Sequence, residues 1–105
     1  MAGELIKVCR CDEIDEGKTK SFMINARSIC MAKEEGKIYA FDNICTHDGG
    51  LLGEGVIYDR QIECPRHGAR FDIATGQATQ MPAVVGIQTY EVQIEDGEIL
   101  VNIPE

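Results

Sequence analysis

The segment CTHDGGLLGEGVIYDRQIECPRH, residues 45–67, decides the fold class and the function that we predict for this 105-residue chain. It begins with CTH at 45–47 and ends with CPRH at 64–67, and these two arms contain both histidines of the chain. Thiolate and imidazole groups are the usual ligands of soft and borderline metal ions. The pattern therefore predicts a four-ligand metal site formed by Cys45, His47, Cys64 and His67.

The rest of the chain has the pattern of an antiparallel β protein. Runs rich in aromatic and β-branched residues alternate with turn signals at short spacing. The predicted strands cover residues 5–8, 21–24, 28–32, 38–41, 56–58, 61–63, 70–72, 88–94 and 98–103. Turns are predicted at 12–17, 25–26, 34–37, 59–60, 75–76 and 96–97. The glycine-rich residues 49–55 predict a flexible, tightly folded loop, and each metal-binding arm begins where a strand ends.

Length and composition favour one domain covering residues 1–105. No apolar run approaches the ~20 residues needed to span a bilayer, and the N-terminus lacks a secretory pattern. We therefore expect a cytoplasmic protein with no membrane partner. The formal charge of −8 opposes nucleic acid as a partner, because phosphate binding needs clustered Lys and Arg. It suits docking onto a basic patch of another protein, although many cytosolic proteins are acidic without that role.

The chain has five cysteines, an odd number, and in a reducing compartment we expect no disulfide framework. Cys45 and Cys64 belong to the predicted site. The other three, Cys9, Cys11 and Cys30, lie in strand-like surroundings, and the spacing of Cys9 and Cys11 places both on the same side of a strand. We interpret these three as small buried hydrophobic side chains.

The order of the ligands distinguishes between metals. Common zinc fingers place two cysteines in one arm and two histidines in the other, whereas each arm here mixes them. In a [2Fe–2S] cluster with two Cys and two His ligands, the Cys pair binds one iron and the His pair the other. Mixed arms suit that geometry if each arm reaches across the cluster. An iron–sulfur centre is the main prediction, with zinc and a site without metal as alternatives.

CTH at 45–47 with CPRHG at 64–68 resembles the paired ligand boxes of Rieske iron–sulfur proteins. The resemblance continues through TGQA at 75–78 and MPA at 81–83, and it is closest to the small soluble Rieske-type ferredoxins of aromatic-ring dioxygenases. It implies an all-β fold of three small antiparallel sheets with a cluster-binding lobe. The lobe would contain cluster-binding loops near 45–53 and 64–70 and a shielding proline loop near 80–83. It also implies one [2Fe–2S] cluster held by Cys45, His47, Cys64 and His67.

The charge of such a centre predicts its chemistry. Two ferric ions, two sulfides and two thiolates sum to zero when the imidazoles are neutral, so adding an electron is easier than in a four-thiolate centre. The four residues fill every protein ligand position at the irons, so no position is left for a substrate. We therefore expect one-electron transfer and no catalysis.

Residues beside the ligands predict a low potential. In bc-type Rieske proteins the positions matching Gly50 and Arg66 are cysteines joined in a disulfide, and those matching Ala69 and Phe71 are a serine and a tyrosine that donate hydrogen bonds to sulfur. Such bonds stabilise the reduced centre and raise its potential. Their absence predicts the low end of the Rieske range, roughly −150 mV. Two interpretations of Arg66 stay open, a solvated loop residue or one that tunes the tip or contacts a partner.

The predicted function is a soluble carrier of single electrons from a flavoprotein ferredoxin reductase to a terminal oxygenase. A monomer suits diffusion between these partners. The alternatives are the small Rieske subunit of an NAD(P)H nitrite reductase, a Rieske protein of another oxidoreductase chain, and a structural zinc domain.

Overall fold

A computed structural model describes residues 3–45, 50–65, 68–81 and 85–104 of the chain. In these ranges the chain forms eleven strands and two short 3₁₀ helices. The strands are β1 (Glu4–Arg10), β2 (Thr19–Ile24), β3 (Arg27–Glu34), β4 (Lys37–Asp42), β5 (Val56–Tyr58), β6 (Gln61–Glu63), β7 (Arg70–Asp72), β8 (Ala78–Gln80), β9 (Thr89–Tyr90), β10 (Val92–Glu95) and β11 (Glu98–Ile103). The 3₁₀ helices are Cys11–Glu13 and Leu52–Glu54, and neither is long enough to cross a membrane.

The strands form three antiparallel sheets, which confirms the predicted fold class. The first sheet has the order β1-β11-β10, the second β2-β3-β4-β9 and the third β5-β6-β7-β8. All pairings between neighbouring strands are antiparallel. The second sheet shares one core with the first sheet and another with the third.

The tight turns lie where the sequence predicts them, and the first residue of each, Asn25 or Asp59, is of a type that tolerates a left-handed backbone. Asn25 and Ala26 have φ of 50° and 67°, and Asp59 and Arg60 have φ of 51° and 58°. Two successive positive φ values are typical of the type I′ hairpin turn, whose twist matches that of the flanking strands. These turns fix the register of the β2–β3 and β5–β6 hairpins.

The second sheet is buried on both faces. Successive residues of a strand point to opposite sides, so β3 contributes Cys30 and Ala32 to one core and Ile29 and Met31 to the other. The first core lies between the second and third sheets and also includes Phe41, Cys45, Leu52, Ile62, Cys64, Ala69, Phe71, Ile73 and Ile87. The other lies between the first and second sheets. The first core is the one that contains both predicted thiol ligands.

Three details of the sequence prediction are wrong. The single strand expected at 88–94 is interrupted at Glu91, so that β9 pairs with β4 while β10 pairs with β11 in a different sheet. Strand β8 was not predicted; it adds to the edge of β7. Cys11 does not share a strand face with Cys9, because β1 ends at Arg10 and Cys11 begins a 3₁₀ helix.

All five cysteines lie among the described residues and are free thiols there. Cys9 and Cys30 are buried and Cys11 is partly buried, packed against the core between the first and second sheets. Their role as small hydrophobic side chains agrees with these positions.

Candidate metal centre

The first arm leaves the second sheet shortly after β4. Cys45 lies three residues beyond the end of that strand and is 1% exposed. Its backbone N–H donates a hydrogen bond of 2.8 Å to the carbonyl oxygen of Gly50. This bond closes the loop that carries His47, so the chain returns to Cys45 within five residues.

The second arm begins directly after β6. Cys64 is 1% exposed, and its backbone N–H donates to the carbonyl oxygen of Ala69 at 2.7 Å. The N–H of Gly68 in turn donates to the carbonyl oxygen of Cys64 at 3.1 Å. Gly68 has a φ of 79°, in the left-handed region that glycine adopts without strain. The arm is therefore a tight turn between β6 and β7.

The structure brings the two predicted thiol ligands into one apolar core. Ala69 and Phe71, which we predict to match the hydroxyl residues of a high-potential site, are fully buried in the same core. His47 and His67 lie outside the described residues, as does Arg66. The four-residue ligand set therefore stays a prediction, of which the structure describes the cysteine half.

Only part of the proline loop lies in the described ranges, because residues 82–84 fall outside them. The chain entering and leaving it is exposed at Met81 (70%) and Val85 (62%). Beyond the loop, the N–H of Ile87 donates to the carbonyl oxygen of Gly76 at 2.7 Å. A Cβ on Gly76 would lie 2.1 Å from the carbonyl oxygen of Ile87. Glycine at this position therefore lets the returning chain pack directly on the turn after β7.

Sequence analysis missed Asn43, whose hydrogen bonds join the first arm to the second sheet. This side chain is 5% exposed, and its Nδ2 lies 3.2 Å from the hydroxyl oxygens of both Ser21 and Ser28. Its Oδ1 accepts a hydrogen bond of 2.6 Å from the N–H of Gly53, and the Thr19 hydroxyl donates to the carbonyl oxygen of Gly53 at 3.0 Å. An asparagine just after a strand is an ordinary turn signal, so the sequence contains no sign of its burial.

We call the point where the second arm joins β6 and β7 its base; the side chains of Tyr58, Glu63 and Arg70 interact there. The Tyr58 hydroxyl donates a hydrogen bond of 2.7 Å to Oε1 of Glu63, the residue before Cys64. This bond to a carboxylate raises the pKa of Tyr58. Arg70 Nε lies 3.4 Å from the same carboxylate oxygen. Sequence analysis did not identify this group, because it depends on the register of three strands.

The donor set fits an iron–sulfur cluster. Two thiols with little solvent exposure stand at the starts of two loops in one apolar core, and each loop also carries one histidine. Burial among apolar side chains suits a centre that carries no net charge when oxidised. When bound there, the cluster supplies a reversible one-electron couple. The fold and the donors together define a small iron–sulfur electron carrier.

The chain belongs to the Rieske [2Fe-2S] domain family, whose model matches residues 4–91. It is 39% identical over 92 residues to the ferredoxin component of the naphthalene 1,2-dioxygenase/salicylate 5-hydroxylase systems of Ralstonia sp., covering 88% of each chain. The ferredoxin of carbazole 1,9a-dioxygenase from Nocardioides aromaticivorans IC177 has a similar structure. Its TM-score is 0.91 at 31% identity, over 96% of this chain and 98% of that one. The chain is thus an electron-transfer protein with one [2Fe–2S] cluster.

Two further structures bear on the partners and on the alternative function. A chain from a complex of reduced oxygenase and oxidised ferredoxin in carbazole 1,9a-dioxygenase matches with a TM-score of 0.89 at 28% identity, over 96% of this chain and 94% of that one. The small subunit of a putative NADH-dependent nitrite reductase from Mycobacterium tuberculosis matches with a TM-score of 0.88, over 98% of this chain and 97% of that one, at 17% identity. The latter likeness shows the fold alone, and the nitrite reductase alternative is not favoured.

Proposed function

We propose that this chain is the ferredoxin component of an aromatic-ring dioxygenase system. In this proposal Cys45 and Cys64 bind one iron of the cluster and His47 and His67 the other. The protein accepts an electron from a flavoprotein reductase and passes it to a terminal oxygenase. The observation that carries the proposal is the burial of both thiols in one core at the start of two hydrogen-bonded loops. The likeness to ferredoxin components over nearly the whole chain supports it.

Exposed apolar side chains near the predicted loops support docking of these partners. Four exposed apolar side chains lie in or next to the segments that we predict as the first cluster loop and the proline loop: Ile44 (48%), Leu51 (49%), Met81 (70%) and Val85 (62%). We call these four residues the apolar collar. Exposed apolar side chains beside a redox centre suit a protein interaction site, because association removes them from water. The collar supports docking of the reductase and the oxygenase at the end of the molecule where the cluster is held.

The chain's own residues would keep that electron path short and specific. The backbone hydrogen bonds of Cys45 and Cys64 hold both loops closed, while the apolar core around the thiols excludes water from their inner side. Filled ligand positions leave no open coordination for a substrate, so the protein would act on its partners alone. Residues 1–105 would form one domain, with the loops near 45–53, 64–70 and 80–83 as its cluster-binding lobe. A monomer in the cytoplasm is part of the same proposal.

The test begins with the purified protein. We expect a red-brown sample with two irons and two sulfides per chain and a rhombic EPR signal after reduction. Replacing Cys45, His47, Cys64 or His67 by Ala should abolish cluster loading, whereas Cys11→Ser should load normally as the matched cysteine control. A colourless protein with stoichiometric zinc, or a ligand variant that retains a normal cluster, would contradict the assignment.

Partner exchange needs a second assay. With a flavoprotein reductase, NADH and the terminal oxygenase of a naphthalene-type system, adding this protein should restore product formation. Met81→Glu should weaken that restoration while leaving the EPR signal unchanged. Met23→Glu is the matched control, because Met23 is as exposed (71%) but lies on β2, outside the three predicted loops of the lobe. Equal loss of activity in both variants would exclude the collar as the docking surface.

A further inference from the structure

Glu63 and Arg70 occupy the base of the second arm. They are cross-strand partners on β6 and β7, at the end of the pair where the arm begins. Glu63 is bonded to Cys64 and Arg70 to Ala69, and these two neighbours share the 2.7 Å backbone hydrogen bond that closes the arm. The charged pair is therefore fixed relative to the Cys64 thiol by a short, hydrogen-bonded piece of backbone.

Tyr58 holds the two charges together. Its hydroxyl donates to Glu63 Oε1 at 2.7 Å, and the Arg70 guanidinium carbon lies 4.9 Å from the centre of its ring. Arg70 Nε lies 3.4 Å from the same Glu63 oxygen. The carboxylate also faces the arm, since a Cβ on Gly68 would lie 3.9 Å from Glu63 Oε2. One aromatic side chain thus contacts both members of an ion pair.

The environment of this pair preserves its electrostatic effect. The side chains of Arg70 and Glu63 are 36% and 33% exposed, and Arg70 Nε itself is shielded from solvent without a hydrogen-bond partner among the described residues. Partial burial lowers the effective dielectric, so these charges act over longer distances than charges in open solvent.

We propose that Glu63 and Arg70 shift the midpoint potential of the cluster in opposite directions and by similar amounts, because Tyr58 holds the two opposed charges together at the base of the second arm. Reduction adds one electron, and hence one negative charge, to the centre, with no bond made or broken. The Glu63 carboxylate opposes that added charge and the Arg70 guanidinium favours it. Tyr58 is a positioning residue that keeps both at a fixed distance. The proposal rests on the proposed role of Cys64 as a ligand.

The experiment measures the midpoint potential of the loaded protein by spectroelectrochemistry at pH 7 and low ionic strength. Glu63→Gln should shift the potential upward and Arg70→Gln downward, while the double variant should return close to the parent value. Arg70→Lys keeps the charge and should restore most of the shift seen in Arg70→Gln. Raising the salt concentration should shrink each single shift, because counterions screen partly exposed charges.

Matched controls come from the other end of the same strands. Asp59→Asn and Arg60→Gln remove the same two kinds of charge at the β5–β6 turn, about 10 Å along β6 from Glu63. Asn tolerates the positive φ of Asp59, and Arg60 is 61% exposed. Both controls should shift the potential less than the corresponding change at Glu63 or Arg70.

The outcomes separate this inference from the proposed function. If the parent protein shows no rhombic EPR signal, the ligand assignment fails first. If all variants load two irons with parental EPR signals but the shifts share one sign or do not exceed the controls, the inference is wrong. It is equally wrong if Arg70→Lys behaves like Arg70→Gln. Tyr58→Phe removes the hydroxyl that donates to the Glu63 carboxylate, so it should lower the potential, as Arg70→Gln does, but by a smaller amount. No shift, or a rise, would exclude Tyr58 as a positioning residue.

Discussion

The Oδ1 atom of Asn43 accepts a 2.6 Å hydrogen bond from the backbone N–H of Gly53, and so joins the two ends of the loop that carries the first pair of predicted ligands. The Asn43 backbone N–H donates a hydrogen bond of 3.0 Å to the carbonyl oxygen of Ser28 on β3. One buried amide therefore fastens the loop to the sheet below it.

Replacing Asn43 by Ala should destabilise the protein and loosen the cluster. The change leaves the Gly53 N–H and two serine hydroxyls without this partner, a loss of about 2–3 kcal/mol in the free energy of unfolding. We expect a lower thermal midpoint and faster bleaching of the visible absorbance in urea with an iron chelator. Ser28→Ala, which removes one of two hydroxyl contacts to Nδ2, should cost about 1 kcal/mol. Equal losses in the two variants would contradict a central role for Asn43.

Replacing Gly55 by Ala should disturb the second arm through a backbone clash. The added Cβ would lie 1.9 Å from the carbonyl oxygen of Glu63, the residue before Cys64. Overpacking of this kind costs about 1–3 kcal/mol, and the forced shift should alter the EPR g values. Gly36→Ala is the control. Its Cβ would meet nothing within 4 Å, but its φ of 78° adds backbone strain of about 1 kcal/mol. An unchanged EPR spectrum in Gly55→Ala would contradict the expected displacement of the second arm.

Replacing Tyr90 by Phe should lower stability at neutral pH by about 1–2 kcal/mol. The Tyr90 hydroxyl donates to Asp42 Oδ1 and accepts from Arg27 at 3.2 Å, and so links β9 to the end of β4. Burial, and then the bond to Asp42, raise the pKa of Tyr90. The neutral phenol is thus favoured in the folded state, and its contribution is complete below the ordinary tyrosine pKa of ~10 and is lost as pH rises through the folded value.

The difference between parent and Tyr90→Phe should therefore narrow above about pH 10. Urea unfolding at pH 7.5, 9 and 11, followed by far-UV circular dichroism, measures it. Tyr39→Phe is the control, because the Tyr39 hydroxyl has no hydrogen-bond partner among the described ranges, and it should change stability little at any of these values. A constant difference for Tyr90→Phe across the series would contradict the role of the phenol proton.

Replacing Ala69 by Ser together with Phe71 by Tyr should raise the midpoint potential from roughly −150 mV, the low end of the Rieske range. Both residues are fully buried in the core that contains the two thiols, so added hydroxyl groups have few partners other than the cluster and its ligands. Protein-film voltammetry measures the shift. Ala69→Val with Phe71→Leu, which adds no hydroxyl, should not raise the potential. If the first variant shows no rise, Ala69 and Phe71 do not correspond to the hydroxyl positions of high-potential Rieske proteins.

Alkylation should distinguish the three cysteines outside the site. Burial raises the pKa of Cys30 to about 12, and burial also raises that of Cys9. Because the thiolate is the nucleophile, neither should react with iodoacetamide at pH 8 until the protein unfolds. Cys11 is partly exposed and should be labelled first, as measured by mass spectrometry of native and urea-treated samples. Labelling of Cys30 at the same rate as Cys11 would contradict its burial.

The sequence alone determined the features that depend on near neighbours. The turns at Asn25-Ala26, Asp59-Arg60 and Asp96-Gly97 lie where the sequence predicts them, because a tight turn is decided within about four residues. The same holds for the two ligand arms, whose mixed Cys and His order indicated the cluster type before any contact was known. The family model and the structural neighbours confirm that class.

Only the tertiary structure decided the features that depend on distant partners. The run 88–94 alternates without interruption in sequence, yet it is divided at Glu91 because β4 offers an edge to its first part and β11 to its second. Strand β8 forms because β7 presents an unpaired edge, although the sequence of β8 has no alternating pattern. The burial of Asn43 and the pairing of Glu63 with Arg70 likewise need sheets that meet across long stretches of chain. Local propensity does not predict such contacts, since their free energy comes from groups that become neighbours only in the folded state.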